Sequence, residues 1–170
     1  MLIAMAGLPG TGKSSIAEEL GRTLPAPVVS VDPIEAAMWR AGVARSQPTG
    51  VAAYVVAEAV ADSVLALGQT VIVDAVNAVE EARVQWRSLA SRRGVPLVFI
   101  EVVCSDPVVH RRRLEGRSRD IDGFHEPTWE AVERRQEEFA PWADGRLVLD
   151  SLIDVSRNVE TALGFLAAAS

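Results

Sequence analysis

The 170-residue chain holds one cysteine, one tyrosine and one lysine. A lone cysteine, Cys104, cannot close an internal disulfide, which excludes a disulfide-stapled secreted scaffold and fits a reducing compartment. It ends the apolar run LVFIEVVC and reads as buried filler. No stretch approaches the ~18 uninterrupted apolar residues of a membrane span, so no membrane association is expected. The opening MLIAMAG has no cationic leader and is too short for a signal-peptide core, which predicts a cytoplasmic protein. Positive charge is also scarce, with 17 Lys and Arg against 23 Asp and Glu and a net charge of −6. That balance weighs against a nucleic-acid partner, whose phosphates demand cationic surface, while leaving a local basic groove open. With 49% apolar residues and modest net charge, disorder is not expected. The length suits one domain over residues 1–170.

The single lysine lies at position 13, inside GLPGTGKSS, whereas the other sixteen of the seventeen cationic residues are arginine. Gly7, Gly12, Lys13 and Ser14 fit the phosphate-binding spacing G-x-x-x-x-G-K-[ST]. The context also fits, because LIAMA leads in as a strand and KSSIAEELGRTL leads out as a helix. Residues Gly7, Leu8, Pro9, Gly10, Thr11, Gly12, Lys13, Ser14 and Ser15 are therefore the candidate nucleotide-binding loop. Its backbone N–H groups would form an anion nest at the positive end of the helix. Lys13 would reach the terminal phosphates and Ser14 would ligate Mg²⁺. A compact ammonium suits such a nest better than the planar, bulkier guanidinium, which explains the one retained lysine.

Three further features point to chemistry on that phosphate. Asp74 closes the run VIVD, where a carboxylate beside the loop can hold Mg²⁺; it could equally cap a helix. No glutamate follows it, so the acidic pair of many ATP-driven motors is missing. A guanine-reading N/T-K-x-D motif would need a second lysine. Asp32 closes PVVSVD and is placed to take a proton from an attacking hydroxyl, or to cap a helix starting at Pro33. Residues 110–119, HRRRLEGRSR, gather five arginines. Arg113 and Arg117, one turn apart on a helix, could neutralise the charge that spreads over a transferring phosphoryl group. The adjoining GRSRDIDGFHEP reads as a mobile loop, and together they suggest an Arg-rich lid.

Strand-length aliphatic runs at 2–6, 27–31, 71–73, 97–103 and 147–149 alternate with helix patterns near 13–24, 33–41, 50–67, 78–93, 107–118, 128–139 and 155–168. The runs are mostly not alternating, as for strands covered on both faces. Strand alternating with helix predicts a parallel α/β sheet.

Taken together, GLPGTGKSS, VVSVDPIEAAM, VIVDAVNAVEEARVQW and DPVVHRRRLEGR resemble the small P-loop kinase family that includes gluconate kinases, chloramphenicol phosphotransferases and the phage-type polynucleotide 5′-kinase domain. The resemblance covers residues 1 to about 120. It implies a five-stranded sheet of order 2-3-1-4-5 with helices on both faces, ATP and Mg²⁺ as cofactors, Asp32 as base, Ser14 and Asp74 at the metal, and Arg113 with Arg117 in the lid. The family often places an asparagine two residues after the third-strand aspartate. Here Asn77 comes three residues after Asp74, which leaves its role open. Arg22, Trp39, Arg40, Arg45 and Tyr54 fall in the part of such folds that faces the acceptor. Polynucleotide kinases place an arginine soon after the base; Pro33, Ile34 and Glu35 stand there instead, which disfavours a nucleic-acid acceptor.

The expected activity is transfer of the γ-phosphoryl of ATP to a hydroxyl of a small molecule, such as a sugar, amino alcohol or antibiotic. The rivals are a polynucleotide or nucleotide kinase and, in another class, a non-catalytic ATP-binding switch.

Overall fold

The aliphatic runs do form the strands, and their alternation with helices sets the chain order of the elements. A computed structural model describes residues 1–116, 126–143 and 145–169. The strands are β1 (Leu2–Ala6), β2 (Val28–Ser30), β3 (Val71–Asp74), β4 (Leu97–Val103) and β5 (Arg146–Asp150). The helices among the described residues are α1 (Lys13–Thr23), α2 (Val31–Arg40), α3 (Thr49–Ala66), α4 (Glu80–Arg93), α5 (Pro107–Glu115), α6 (Trp129–Glu137) and α7 (Val155–Ala168). All strand pairs are parallel, in the order β2-β3-β1-β4-β5, as the sequence predicts.

The central strand shows why its residues are apolar without interruption. Along β1 successive side chains point to opposite faces, and both faces are covered. Leu2 and Ala4 enter a core with the alanine face of α3 and with Trp86 and Leu89 of α4. Ile3 and Met5 enter the other core, with Ile16 and Leu20 of α1 and with Val159 and Leu166 of α7. In-register neighbours extend each layer, with Ile3 beside Ile72 of β3 and Val98 of β4. Parallel pairing puts every strand's C-terminal end on one edge, where such folds bind ligands.

Two helices begin where sequence reading does not place them. The second strand stops at Ser30 and α2 starts at Val31, so Asp32 lies in the helix's first turn. The N-cap is Ser30, with no side-chain cap bond, and the capping expectation for Asp32 is therefore wrong. Burial of Val31 fixes the earlier start, and Pro33 is tolerated there because first-turn N–H groups lack helical partners. Likewise α4 starts at Glu80 with Val79 as N-cap, so Asp74 caps nothing. By contrast, Asp106 before Pro107 does start α5, its Oδ1 accepting from the N–H groups of Val108 and Val109 at 2.8 and 3.1 Å.

Helix α3 is long and apolar enough by composition to cross a bilayer. Its Ala53, Ala57, Ala61 and Leu65 are nonetheless buried on the sheet, while Glu58 and Asp62 pair with Arg92 and Arg93 of α4. Val51, Val55, Val56 and Val60 face outward instead, because the small alanines let the helix lie close to β2 and β3.

A buried arginine ties the chain after α6 to the sheet. Arg83 is fully buried and donates to the carbonyls of Asn77, Ala78, Ala140 and Pro141 at 3.0–3.1 Å. Its guanidinium lies 3.7 Å from the centre of the Trp142 ring, which also packs edge-on against Phe99. Replacing Arg83 by Leu strands the carbonyls of Asn77, Ala140 and Pro141, while Ala78 keeps the Ala140 N–H at 2.8 Å. The expected cost is roughly 3–5 kcal/mol, or about 10 °C in Tm for a chain of this size, measurable by calorimetry.

Candidate active site

The loop between β1 and α1 takes its shape from close approaches that only particular residues allow. Gly7 has φ +138°, and a Cβ there would meet the Val102 carbonyl oxygen at 2.3 Å. Its N–H donates to the Val76 carbonyl at 3.1 Å, so the loop's first residue is clamped between β3 and β4. Thr11 then closes the turn, its Oγ1 donating to the Leu8 carbonyl at 2.9 Å. Gly12, at φ +88°, is the N-cap of α1, and no side chain caps that helix. Its first amides are therefore without a side-chain acceptor, at the end of the helix that attracts anions.

Lys13 opens α1 and is buried. Its Nζ lies 2.5 Å from Asp74 Oδ1 at the end of β3. Ser30 Oγ donates to the other carboxylate oxygen at 3.2 Å. Burial pushes the Asp74 carboxyl up, but the Lys13 ammonium and hydrogen bonds from Lys13, Ser14 and Ser30 prevail and hold it below the usual carboxylate range. Three loops thus converge on one carboxylate. Ser14 Oγ and Asp74 offer only hard oxygen donors, the set that suits Mg²⁺ completed by phosphate and water. Among the described residues no cluster of three or more His, Cys, Asp or Glu competes for a softer ion.

A cleft of about 310 Å³ opens over this floor. Gly10, Gly12, Lys13, Ser14 and Ser15 line it, and so do Arg113 and half-buried Asp32. Arg113 Nη1 donates to Ser151 Oγ at 2.8 Å and Nη2 to the Ser151 carbonyl at 3.1 Å, which fixes the guanidinium at the cleft wall. Arg117, its expected companion, lies outside the described residues.

The remaining wall follows β5 and includes Ser151, Ile153, Val155 and Asn158. Asn158 is buried, and its Nδ2 donates to the carbonyls of Asp150 and Ile153 at 3.0 and 3.2 Å, shaping that loop. Sequence reasoning passed over these residues. A usable signal was present, because DSLID directly follows a parallel strand and must emerge on the ligand-binding edge.

Other expected residues divide. Asn77 is fully buried with φ +50°. Its Nδ2 donates to the Met5 carbonyl at 2.7 Å, and its Oδ1 accepts from Trp86 Nε1 at 2.8 Å. Its own N–H donates to Tyr54 Oη at 3.1 Å. Asn77 is a structural knot beneath the cleft, which answers the question its spacing raises. Burial, with Asp32 and Asp74 nearby, pushes the Tyr54 phenol up to about 12. Trp39 Nε1 donates to Thr49 Oγ1 at 3.1 Å, Thr49 donates to Glu35 at 2.7 Å, and Arg45 stacks 4.0 Å over the Trp39 ring. Arg22 instead pairs with Glu18 and Glu19 on the surface, away from the cleft. Cys104 is half-buried rather than core filler, because β4 ends at Val103 and the thiol emerges with the connection, 3.8 Å from Arg113 Nη1.

A family model described as AAA domain matches residues 2–141. No curated protein matches the chain. Solved structures share the fold at low identity. Chaetomium thermophilum Kti12 in complex with ADP-AlF3 aligns at 20% identity and TM-score 0.75, covering 99% of this chain and 98% of the other. The Mycobacterium tuberculosis APS kinase CysC, in complex with AMPPNP and APS, aligns at 19% identity and TM-score 0.72, covering 98% and 96%. A gluconokinase from Sinorhizobium meliloti aligns at 21% identity and TM-score 0.69, covering 98% and 91%.

Proposed function

Because the chain belongs to this AAA domain family and has the P-loop kinase fold, we propose that it transfers the γ-phosphoryl of ATP to a hydroxyl of a small molecule. One observation carries the reading: a buried ammonium, a carboxylate and a guanidinium converge on the same cleft through Lys13, Asp32 and Arg113. The loop amides and Lys13 bind the phosphates. The lipophilic wall of Ile153 and Val155 takes the nucleobase. Ser14 and Asp74 would hold Mg²⁺, which would supply positive charge to the bound phosphates.

Asp32 Oδ accepts the acceptor's hydroxyl proton while that oxygen forms its bond to the γ-phosphorus. The bond from phosphorus to the bridging oxygen breaks and ADP leaves. Arg113, already oriented by Ser151, neutralises charge on the equatorial oxygens. A nucleic-acid acceptor is disfavoured by the −6 net charge.

An ADP-release screen over sugars, amino alcohols, aminoglycosides, phenicols, nucleotides and oligonucleotides tests this. At least one small hydroxyl compound is expected to raise release about tenfold or more over the acceptor-free rate. ATP binding with no acceptor-dependent release would replace the kinase reading with a nucleotide-driven switch.

A further inference from the structure

The phosphate loop is shaped from behind by a histidine that neither the motif nor the proposed chemistry uses. His110, on α5, is 5% exposed. Its Nε2 lies 2.8 Å from the Pro9 carbonyl oxygen. A carbonyl can only accept, so the ring N–H at Nε2 donates. The imidazole is held in that direction by Trp129 of α6, which meets it edge-on at 5.1 Å and 87°. The approach is close. A Cβ on Gly10, at φ +87°, would stand 3.2 Å from His110 Cδ2 and 3.1 Å from Leu114 Cβ.

The consequence follows from peptide geometry. In a planar trans peptide the carbonyl and the next residue's N–H point to opposite sides. Holding the Pro9 oxygen toward α5 therefore turns the Gly10 N–H away from α5, toward the cleft that Gly10 lines. His110 itself opens on a separate cavity of about 260 Å³ behind the loop, beside Gly7, Thr11 and Cys104. It is not among the residues that line the cleft. It also joins the loop to α5, which carries Arg113 three residues later, and through Trp129 to α6.

We propose that His110 is the positioning residue of the phosphate loop, fixing the Pro9–Gly10 peptide so that its amide faces the phosphates. The proposal rests on the nucleotide-binding reading above. Two variants test it. His110→Leu fills the space without a donor. His110→Gln places an amide N–H four bonds from Cα, as far along the side chain as Nε2 in histidine. If His110→Leu does not fold, His110→Met serves in its place.

Two measurements are compared. Hydrogen exchange of residues 7–13 in the protein without nucleotide reads the loop directly. Calorimetry with MgATP reads its use. The apolar variant is expected to exchange faster in that segment and to bind MgATP about tenfold more weakly, with the glutamine variant recovering most of both. A merely space-filling histidine would give no such recovery. Wild-type MgATP affinity left unchanged by the apolar variant overturns the strut alone. A glutamine variant as impaired as the apolar one also overturns it. Absence of MgATP binding in every variant, wild type included, sinks the nucleotide reading and this proposal with it.

Discussion

Replacing Lys13 by Ala is expected to lower ATP-dependent turnover by about 10³-fold or more, the scale seen when a cation facing a transferring phosphoryl group is lost. The same change has a second effect that the motif alone does not reveal. Asp74 is buried with Lys13 as its ion-pair partner at 2.5 Å. Removing the ammonium leaves a buried carboxylate uncompensated, which typically costs roughly 3–5 kcal/mol. Lower turnover in Lys13→Ala could then be mistaken for partial unfolding. Adding Asp74→Asn removes the stranded charge while Ser30 can still donate to the side-chain oxygen. The double variant should recover most of the lost Tm in a calorimetric melt and remain inactive. A Lys13→Ala protein with wild-type turnover would end the assignment of this loop.

The second large effect concerns Asp32. Asparagine keeps its size but cannot accept a proton as the carboxylate does. Loss of a general base costs about 10²- to 10⁴-fold in the chemical step. Asp32→Asn should therefore slow phosphoryl transfer by that factor, once an acceptor is found. Its MgATP affinity by calorimetry should stay within about twofold of wild type, since the loop and Lys13 are untouched. Unimpaired transfer in this variant would remove Asp32 from the chemistry. Loss of MgATP affinity would instead mean that it shapes the nucleotide site. Asp32 opens from the first turn of α2 and not from a strand end, so its carboxylate is carried by a rigid helix.

Much of the fold was legible because its signals are local. The runs LIAMA and LVFIEVV match β1 and β4 residue for residue, since a strand covered on both faces needs a largely apolar stretch, which only Glu101 interrupts. The pattern at 155–168 likewise matches α7. Where reading failed, the cause lay at boundaries set by burial, as with Val31 starting α2 before the proline. Cys104 was misjudged for the same reason, one residue beyond the end of β4. The outward valines of α3 defeat a simple apolar-inward rule, because close packing on the sheet favours alanine over bulk.

The site divides along the same line. Gly7 through Ser15 could be nominated from spacing alone, because an anion nest needs glycines, a lysine and a hydroxyl at fixed intervals in one stretch of chain. Asp74 and Arg113 could be nominated, but not their partners. That Lys13 meets Asp74, that Ser151 aims Arg113, that Asn77 knots β1 to α4 and that His110 braces Pro9 are contacts between residues 9 to 101 positions apart. Side-chain chemistry is written in the residue itself, so sequence alone nominated the loop and its lysine. Which donor meets which acceptor across the chain depends on how parallel strands bring distant loops to one edge, and only the folded sheet decided that.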